Sequence, residues 1–168
     1  MTETGKNVKK EDIAVTRIID APLELVWKAW TDPEQVRRWW GPKDYTSPLC
    51  KIDLREGGQY IFCMRAPKEQ GGHDSYTTGI YKKIVPKELL EFTQSLSDKD
   101  GNKIDPAQAG MPPDFPKETR ILVTYKAKGD MTELTITLYG WTVGQMYVYA
   151  LAGWHQSIDK LAGCLAKA

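Results

Sequence analysis

The sequence predicts an α+β fold in which a curved antiparallel sheet of about seven strands wraps around one long C-terminal helix. Two short helices are predicted after the first strand. The first observation is the stretch 141–168, where apolar side chains recur every three or four residues, as on one face of a helix. The second is the middle of the chain, where apolar and polar residues alternate and Gly or Pro residues separate the runs. Helix and sheet each have one apolar face to bury, so they are expected to pack together.

The C-terminal helix also carries a predicted start signal. Thr142 and Gln145 have the spacing of a capping box, and Trp141 and Met146 have that of a hydrophobic staple. Glycines within the helix cost about 1 kcal/mol each relative to alanine, so the helix requires packing against the sheet. Its apolar stripe consists of Val143, Tyr147, Leu151, Trp154, Ile158, Leu161 and Leu165.

The remaining elements follow from local patterns. A β-branched run at 13–20 predicts the first strand. Pro22 is suited to the first turn of one short helix, and Asp32 to the N-cap of a second that reaches Trp39. The segment 98–117 is rich in Asp, Gly and Pro and predicts a long loop. The other strands are predicted at 50–54, 59–64, 76–85, 89–96, 120–127 and 133–139.

Composition limits the class of protein. The 168 residues fit one domain, predicted at 13–168, preceded by a polar, flexible tail at 1–12 that lacks the apolar core of a secretory signal. A net charge of +1 with interspersed signs argues against nucleic-acid binding, and no apolar run approaches the roughly 20 residues needed for membrane insertion. Cys50, Cys63 and Cys164 lie in apolar segments, which favours reduced, buried thiols and a cytoplasmic location.

Several segments resemble the START-like superfamily (SRPBCC, Bet v 1-type helix-grip proteins). Within it, the chain is most similar to the branch related to the C-terminal domain of the activator of the ninety-kilodalton heat-shock-protein ATPase. The resemblance runs from about residue 13 to the C-terminus and implies the helix-grip fold with a cavity between sheet and helix. Two departures are an extended 98–118 loop and Leu138-Tyr139-Gly140, where the family often has His-x-Gly. The segments that carry the resemblance are 21–34, 39–42, 53–58, 79–81, 84–86, 89–93, 132–138, 153–154 and Leu161.

Strand and helix parity indicate which side chains face the implied cavity. A buried amide without a partner costs about 1–3 kcal/mol, so Gln94 on an otherwise apolar face favours a partner, a water or a ligand. Ala150 is small where a filled core would favour a large side chain. The alternative, that these side chains simply fill the core, stays open. The predicted ligand-binding residues are Trp40 at the mouth and Tyr60, Phe62, Met64, Tyr76, Phe92, Gln94, Tyr147, Ala150 and Trp154.

The sequence predicts no catalytic residue, no metal site and no cofactor. His73 and His155 lack neighbouring partners for catalysis, and no Cys-x-x-Cys or His-x-x-x-His spacing occurs. The leading hypothesis is non-enzymatic binding of a small hydrophobic or amphipathic ligand. The resemblance also implies two alternatives: a co-chaperone-like activator acting on a chaperone partner through its surface, and a cyclase or hydrolase of hydrophobic substrates. An apolar strip of Val148, Tyr149 and Ala152 opposite the helix stripe suggests a homodimer.

Overall fold

The computed structural model describes residues 9–165 and confirms the predicted α+β fold. Seven antiparallel strands form one curved sheet in the order β1-β7-β6-β5-β4-β3-β2. Single-turn 3-10 helices occur at Lys68–Gln70 and Pro106–Ala109. Across residues 9–165, no helix combines the length and apolarity that a membrane crossing requires. The elements are β1 (Lys10–Ile19), α1 (Leu23–Thr31), α2 (Pro33–Val36), β2 (Cys50–Ile52), β3 (Gln59–Arg65), β4 (Asp74–Val85), β5 (Leu89–Ser97), β6 (Thr119–Lys128), β7 (Met131–Thr142) and α3 (Gln145–Leu165).

The core lies between the concave face of the sheet and the helices. Alternate residues of β1, β6 and β7 point inward, and α3 contributes Trp154, Ile158 and Leu161 to the same buried cluster. Register shifts between Glu11 and Ile13 in β1 and between Tyr81 and Lys83 in β4 are irregularities of the kind that bend strands. Of the predicted apolar stripe, Trp154, Ile158 and Leu161 are buried. Tyr147, Leu151 and Leu165 are half-buried against the same cluster, and Val143 precedes the helix and is exposed.

The N-cap of α2 forms as the sequence predicts. The Asp32 carboxylate accepts a hydrogen bond from the Glu34 amide at 3.0 Å, and Pro33 occupies the first helical position. The helix itself is short and ends at Val36, before the predicted Trp39. Trp39 is instead fixed in the core, where its indole N–H donates to the Ala29 carbonyl at 2.9 Å.

We expect Asp32→Ala to lower the free energy of unfolding by about 0.5–2 kcal/mol, because the first turn loses its side-chain acceptor. Asp32→Asn keeps an acceptor oxygen and should retain most of the stability. Chemical denaturation of the three proteins makes the comparison. Equal midpoints for the wild type and the alanine variant would show that the cap contributes nothing.

The predicted start of the C-terminal helix is wrong. Thr142 is the last residue of β7 and pairs with Lys10, while buried Trp141 pairs with Glu11. The Val143 amide continues this pairing by donating to the Lys9 carbonyl at 2.8 Å. Strand pairing therefore uses the backbone that a capping box at Thr142 would need, and the helix begins at Gln145.

The same pairing corrects the predicted N-terminal tail. Residues 10–12 belong to β1 rather than to a tail, because the far end of β7 supplies their hydrogen-bond partners. The Asp12 carboxylate also accepts from the Gly140 amide at 2.9 Å. The predicted tail residues 1–8 lie outside the described residues.

The three cysteines are free, but only Cys63 is fully buried. Burial raises the pKa of the Cys50 thiol to about 12 and raises that of Cys63 as well. Cys164 lies in the last turn of α3 and is half-exposed, which departs from the expectation that all three are buried.

We expect a thiol reagent at neutral pH to modify Cys164 first and Cys50 and Cys63 slowly, because a high pKa suppresses the reactive thiolate. Raising the pH towards 12 should accelerate Cys50. Peptide mapping after timed labelling gives the order, and unfolded protein, in which all three thiols are accessible, is the control. Labelling of Cys50 in the folded protein at the unfolded rate would contradict the assignment.

Candidate functional site

A cavity of about 520 Å³ lies between one end of the sheet, α3 and the 98–118 loop. Strands β3, β4, β5 and β6 form its floor, and residues 149–157 of α3 form one wall. The segment 40–42 closes one side, and residues 104–116 of the loop cover the other. Sheet, helix and loop thus enclose a space of the volume typical of small-molecule sites.

Strand register determines which floor residues meet. Thr77 of β4 lies opposite Leu96 of β5, and Gln94 of β5 lies opposite Thr119 of β6. Because side chains alternate between faces, these four share the concave face with buried Phe92 and Ile121 further along the strands. The floor is therefore mixed, with polar side chains where the aromatic core ends.

The helix wall stays open because it carries small side chains. Ala150 and Gly153 lie about one turn apart and both line the cavity. A Cβ added at Gly153 would find its nearest neighbour, Pro42 Cγ, at 3.7 Å, so this position also has room. Larger side chains at these positions would fill the space that the sheet leaves.

Trp154 separates the cavity from the filled core. Its ring stacks on Trp30 with centroids 6.2 Å apart and meets Trp40 edge-on at 5.7 Å. Behind Trp40, Phe62 packs at 4.6 Å and Tyr60 follows at 4.4 Å from Phe62. One part of the helix–sheet interface is thus a packed aromatic core, and the part beyond Trp154 is a cavity.

The ten predicted ligand-binding residues divide along this boundary. Tyr60, Phe62 and Phe92 lie in the aromatic core, where the Tyr60 hydroxyl donates to the Thr93 carbonyl at 2.6 Å. Tyr147 lies away from the cavity, and its hydroxyl donates to the Asp12 carbonyl at 3.0 Å. The structure brings the other six together around the cavity: Trp40, Met64, Tyr76, Gln94, Ala150 and Trp154.

Sequence reasoning missed the contribution of the long loop. Ile104, Met111 and Phe115 line the cavity from this segment, and Phe115 packs edge-on against Trp141 at 5.8 Å. Large apolar side chains in a Pro- and Gly-rich loop were the available signal, since a solvated loop gains nothing from them. The loop is anchored by a hydrogen bond from the Ile104 amide to the Leu96 carbonyl at 3.0 Å.

Several polar groups of the cavity wall have no protein partner. Thr77 Oγ1 and Trp141 Nε1 are buried without a hydrogen bond, and the Gln94 and Thr119 side chains form none within residues 9–165. Ser157 differs, because its hydroxyl donates to the Gly41 carbonyl at 2.9 Å. An unpaired buried polar group costs about 1–3 kcal/mol, so these groups favour an additional hydrogen-bonding partner.

Charged groups at the cavity are confined to its outer part. His73 is exposed, and Asp74 is held by Arg65 through hydrogen bonds of 2.7 and 3.0 Å. The Arg65 hydrogen bond lowers the pKa of the Asp74 carboxyl, which keeps the pair ionised. No group of three or more His, Cys, Asp or Glu side chains that could hold a metal ion occurs within residues 9–165.

Lys160 fixes the segment that forms the cavity's side. Its ammonium lies within 3.4 Å of the carbonyl oxygens of Trp40, Gly41, Pro42 and Tyr45, the shortest distance being 2.9 Å to Tyr45. Burial lowers the pKa of Lys160, and the carbonyls replace part of the water that the ammonium loses. One side chain of α3 therefore holds residues 40–45 against the helix.

The outer strip of α3 is solvent-exposed. Val148 is 60% exposed and Tyr149 57% exposed, and Ala152 is also exposed. Tyr149 additionally lines the cavity. The homodimer suggested by this strip stays a prediction.

The fold and the cavity together define a helix-grip protein, in which a curved sheet encloses a long helix and leaves space between them. The family model described as activator of Hsp90 ATPase homolog 1-like protein matches residues 20–166, so the chain belongs to this family. This confirms the resemblance found in the sequence. None of the curated proteins matches the chain at a significant level.

Solved structures show the same fold. A protein from Nitrosomonas europaea is 23% identical with a TM-score of 0.72, covering 92% of this chain and 93% of that one. One from Chromobacterium violaceum is 24% identical with a TM-score of 0.73, covering 94% and 98%. An AHSA1-like protein from Aeromonas hydrophila is 21% identical with a TM-score of 0.68, covering 91% and 90%.

Proposed function

We propose that this protein binds a small apolar or amphipathic molecule in the cavity between α3 and the sheet. The observation that supports the proposal is the cavity itself, about 520 Å³ in volume, whose lining combines apolar side chains such as Trp40, Met64 and Trp154 with a few polar ones. Sites for small molecules typically occupy about 300–1,000 Å³ and are mostly apolar with a few fixed polar groups.

The close packing of the neighbouring core supports this function. Protein interiors are normally filled to the density of organic crystals, with few voids larger than a water molecule. The aromatic cluster beyond Trp154 follows that rule, whereas Ala150 and Gly153 leave the adjacent space open. A ligand would supply the dispersion contacts and the apolar burial that the cavity wall lacks.

Binding is testable with an uncharged, environment-sensitive dye such as N-phenylnaphthylamine. We expect a saturable rise in its fluorescence with one site per chain, and native mass spectrometry of protein purified from its own cells should show a retained mass. The absence of both a fluorescence rise and an added mass would overturn the proposal. Unfolded protein provides the control for non-specific dye binding.

Family membership supports a second candidate function, that of an activator module acting on a heat-shock ATPase through its surface. The test is the ATP hydrolysis rate of the ninety-kilodalton heat-shock protein with and without this protein. Stimulation that persists after the cavity is filled by substitution would favour a surface function. No stimulation over a broad concentration range would remove the candidate.

A further inference from the structure

The polar part of the cavity floor has a definite composition. Gln94 and Thr119 face each other across β5 and β6, and Thr77 lies on the neighbouring strand β4. All three side chains line the cavity, and Thr119 is only 3% exposed. The floor thus offers two hydroxyls and one amide, which can each donate and accept hydrogen bonds.

Buried threonine hydroxyls elsewhere in the fold have hydrogen-bond partners, although Trp30 Nε1 and Tyr125 Oη in the aromatic core do not. Thr78 donates to the Tyr60 carbonyl and Thr132 to the Ala21 carbonyl, both at 2.8 Å. Thr93 accepts from the Ile80 amide at 3.0 Å. Away from the cavity, these buried threonine hydroxyls are satisfied by backbone, whereas the hydroxyls of Thr77 and Thr119 have no partner within the described chain.

The floor also lacks a counter-charge for an ionised ligand. Among residues 9–165, no lysine or arginine lines the cavity; the acidic and basic side chains there are His73, which is exposed at its outer part, and Asp74, which is already paired with Arg65. Moving an ion from water into such a site costs far more than moving a hydrogen-bonded neutral group. An ionised carboxylate, phosphate or ammonium would therefore lose its hydration here without replacement.

We infer that the cavity selects neutral amphiphiles, whose apolar body contacts Trp40, Met64 and Trp154 and whose uncharged amide, carbonyl or hydroxyl group bonds to Gln94 and Thr119. This inference rests on the proposed function and specifies its ligand class. An amide head fits best, because Gln94 can donate to its oxygen while accepting from its nitrogen.

The test is calorimetric titration with naphthalene and three derivatives that carry one amide, one carboxylate or one aminomethyl group, at a neutral pH where the last two are ionised. We expect the amide to bind at least about tenfold more tightly than naphthalene, a difference that corresponds to 1.4 kcal/mol. Both ionised derivatives should bind more weakly than naphthalene itself.

Substitutions on the cavity floor test whether Gln94 and Thr119 cause the preference for neutral ligands. Gln94→Leu and Thr119→Val should each weaken the amide and leave naphthalene within a factor of about two, since only a hydrogen-bonding group is removed. Thr124→Val, on the outer face of the strand that carries Thr119, is the matched control and should change neither affinity. Preserved unfolding transitions would show that the variants are folded.

The outcomes separate this inference from the proposed function. Equal or tighter binding of an ionised derivative, or an amide no better than naphthalene, would overturn neutral selectivity while leaving the binding function standing. Amide binding unaffected by Gln94→Leu and Thr119→Val would overturn the assigned residues. Binding of none of the four compounds, together with no dye binding, would overturn both.

Discussion

Replacing Ala150 by phenylalanine should abolish ligand binding while leaving stability unchanged or slightly higher. Ala150 lines the cavity from the helix side, so the new ring is expected to enter a space of about 520 Å³. In a close-packed core the same substitution costs typically about 1–3 kcal/mol through overpacking. In open space the ring instead gains apolar burial and dispersion contacts. The two situations therefore predict opposite signs for the change in unfolding free energy.

The measurements are chemical denaturation and dye titration of the same preparation. Ala152→Phe is the matched control, because Ala152 lies on the exposed side of α3, and it should leave dye binding intact. Strong destabilisation by Ala150→Phe, combined with no dye binding by the wild type, would mean that the core is filled and that the function lies on the surface. Wild-type affinity in a folded Ala150→Phe variant would show that the dye binds elsewhere.

Periodicity was sufficient to predict the architecture, but local signals failed at a boundary set by long-range pairing. The alternation of apolar residues and the helical stripe fixed which faces are buried, and that pattern survives in the structure. Thr142 and Gln145 have the spacing of a capping box, and Trp141 and Met146 that of a hydrophobic staple. The helix does not begin there, because Thr142 pairs with Lys10 in the β1–β7 ladder, and these two residues are separated by most of the chain. A pattern read within a short stretch of sequence cannot include a strand partner that is so distant in the chain.

The cavity was harder to predict than the fold, because parity identifies the face of a side chain but not what fills the space above it. Phe62 and Met64 occupy equivalent positions of β3, yet Phe62 packs behind Trp40 and Met64 lines the cavity. The boundary depends on where Trp154 lies along the sheet, which is a tertiary property. The loop residues Ile104 and Phe115 were missed for the same reason, since they have no strand or helix period.

Lys160→Met is expected to lower the free energy of unfolding by about 1.5–3 kcal/mol, the usual net value of hydrogen bonding to a charged group. Methionine keeps much of the aliphatic stem but removes the ammonium that holds four backbone carbonyls. The Gly41 carbonyl retains the Ser157 hydroxyl, and the Pro42 carbonyl retains the Tyr45 amide at 3.0 Å. The carbonyls of Trp40 and Tyr45 have no such second donor among residues 9–165, so they account for most of the expected loss.

The same substitution should weaken binding, because residues 40–42 form one side of the cavity and a ligand would have to order them. Lys43→Met is the matched control, since Lys43 lies in the same segment with its side chain exposed, and it should change neither stability nor affinity. Ser157→Ala should cost less, about 0.5–1.5 kcal/mol, because it removes one neutral hydrogen bond from a carbonyl that Lys160 still contacts. Equal unfolding midpoints for Lys160→Met and Lys43→Met would show that the ammonium contributes nothing to holding the segment. If Lys160→Met is destabilised but keeps wild-type dye affinity, then Lys160 stabilises the fold through residues 40–45 without determining the shape of the binding site.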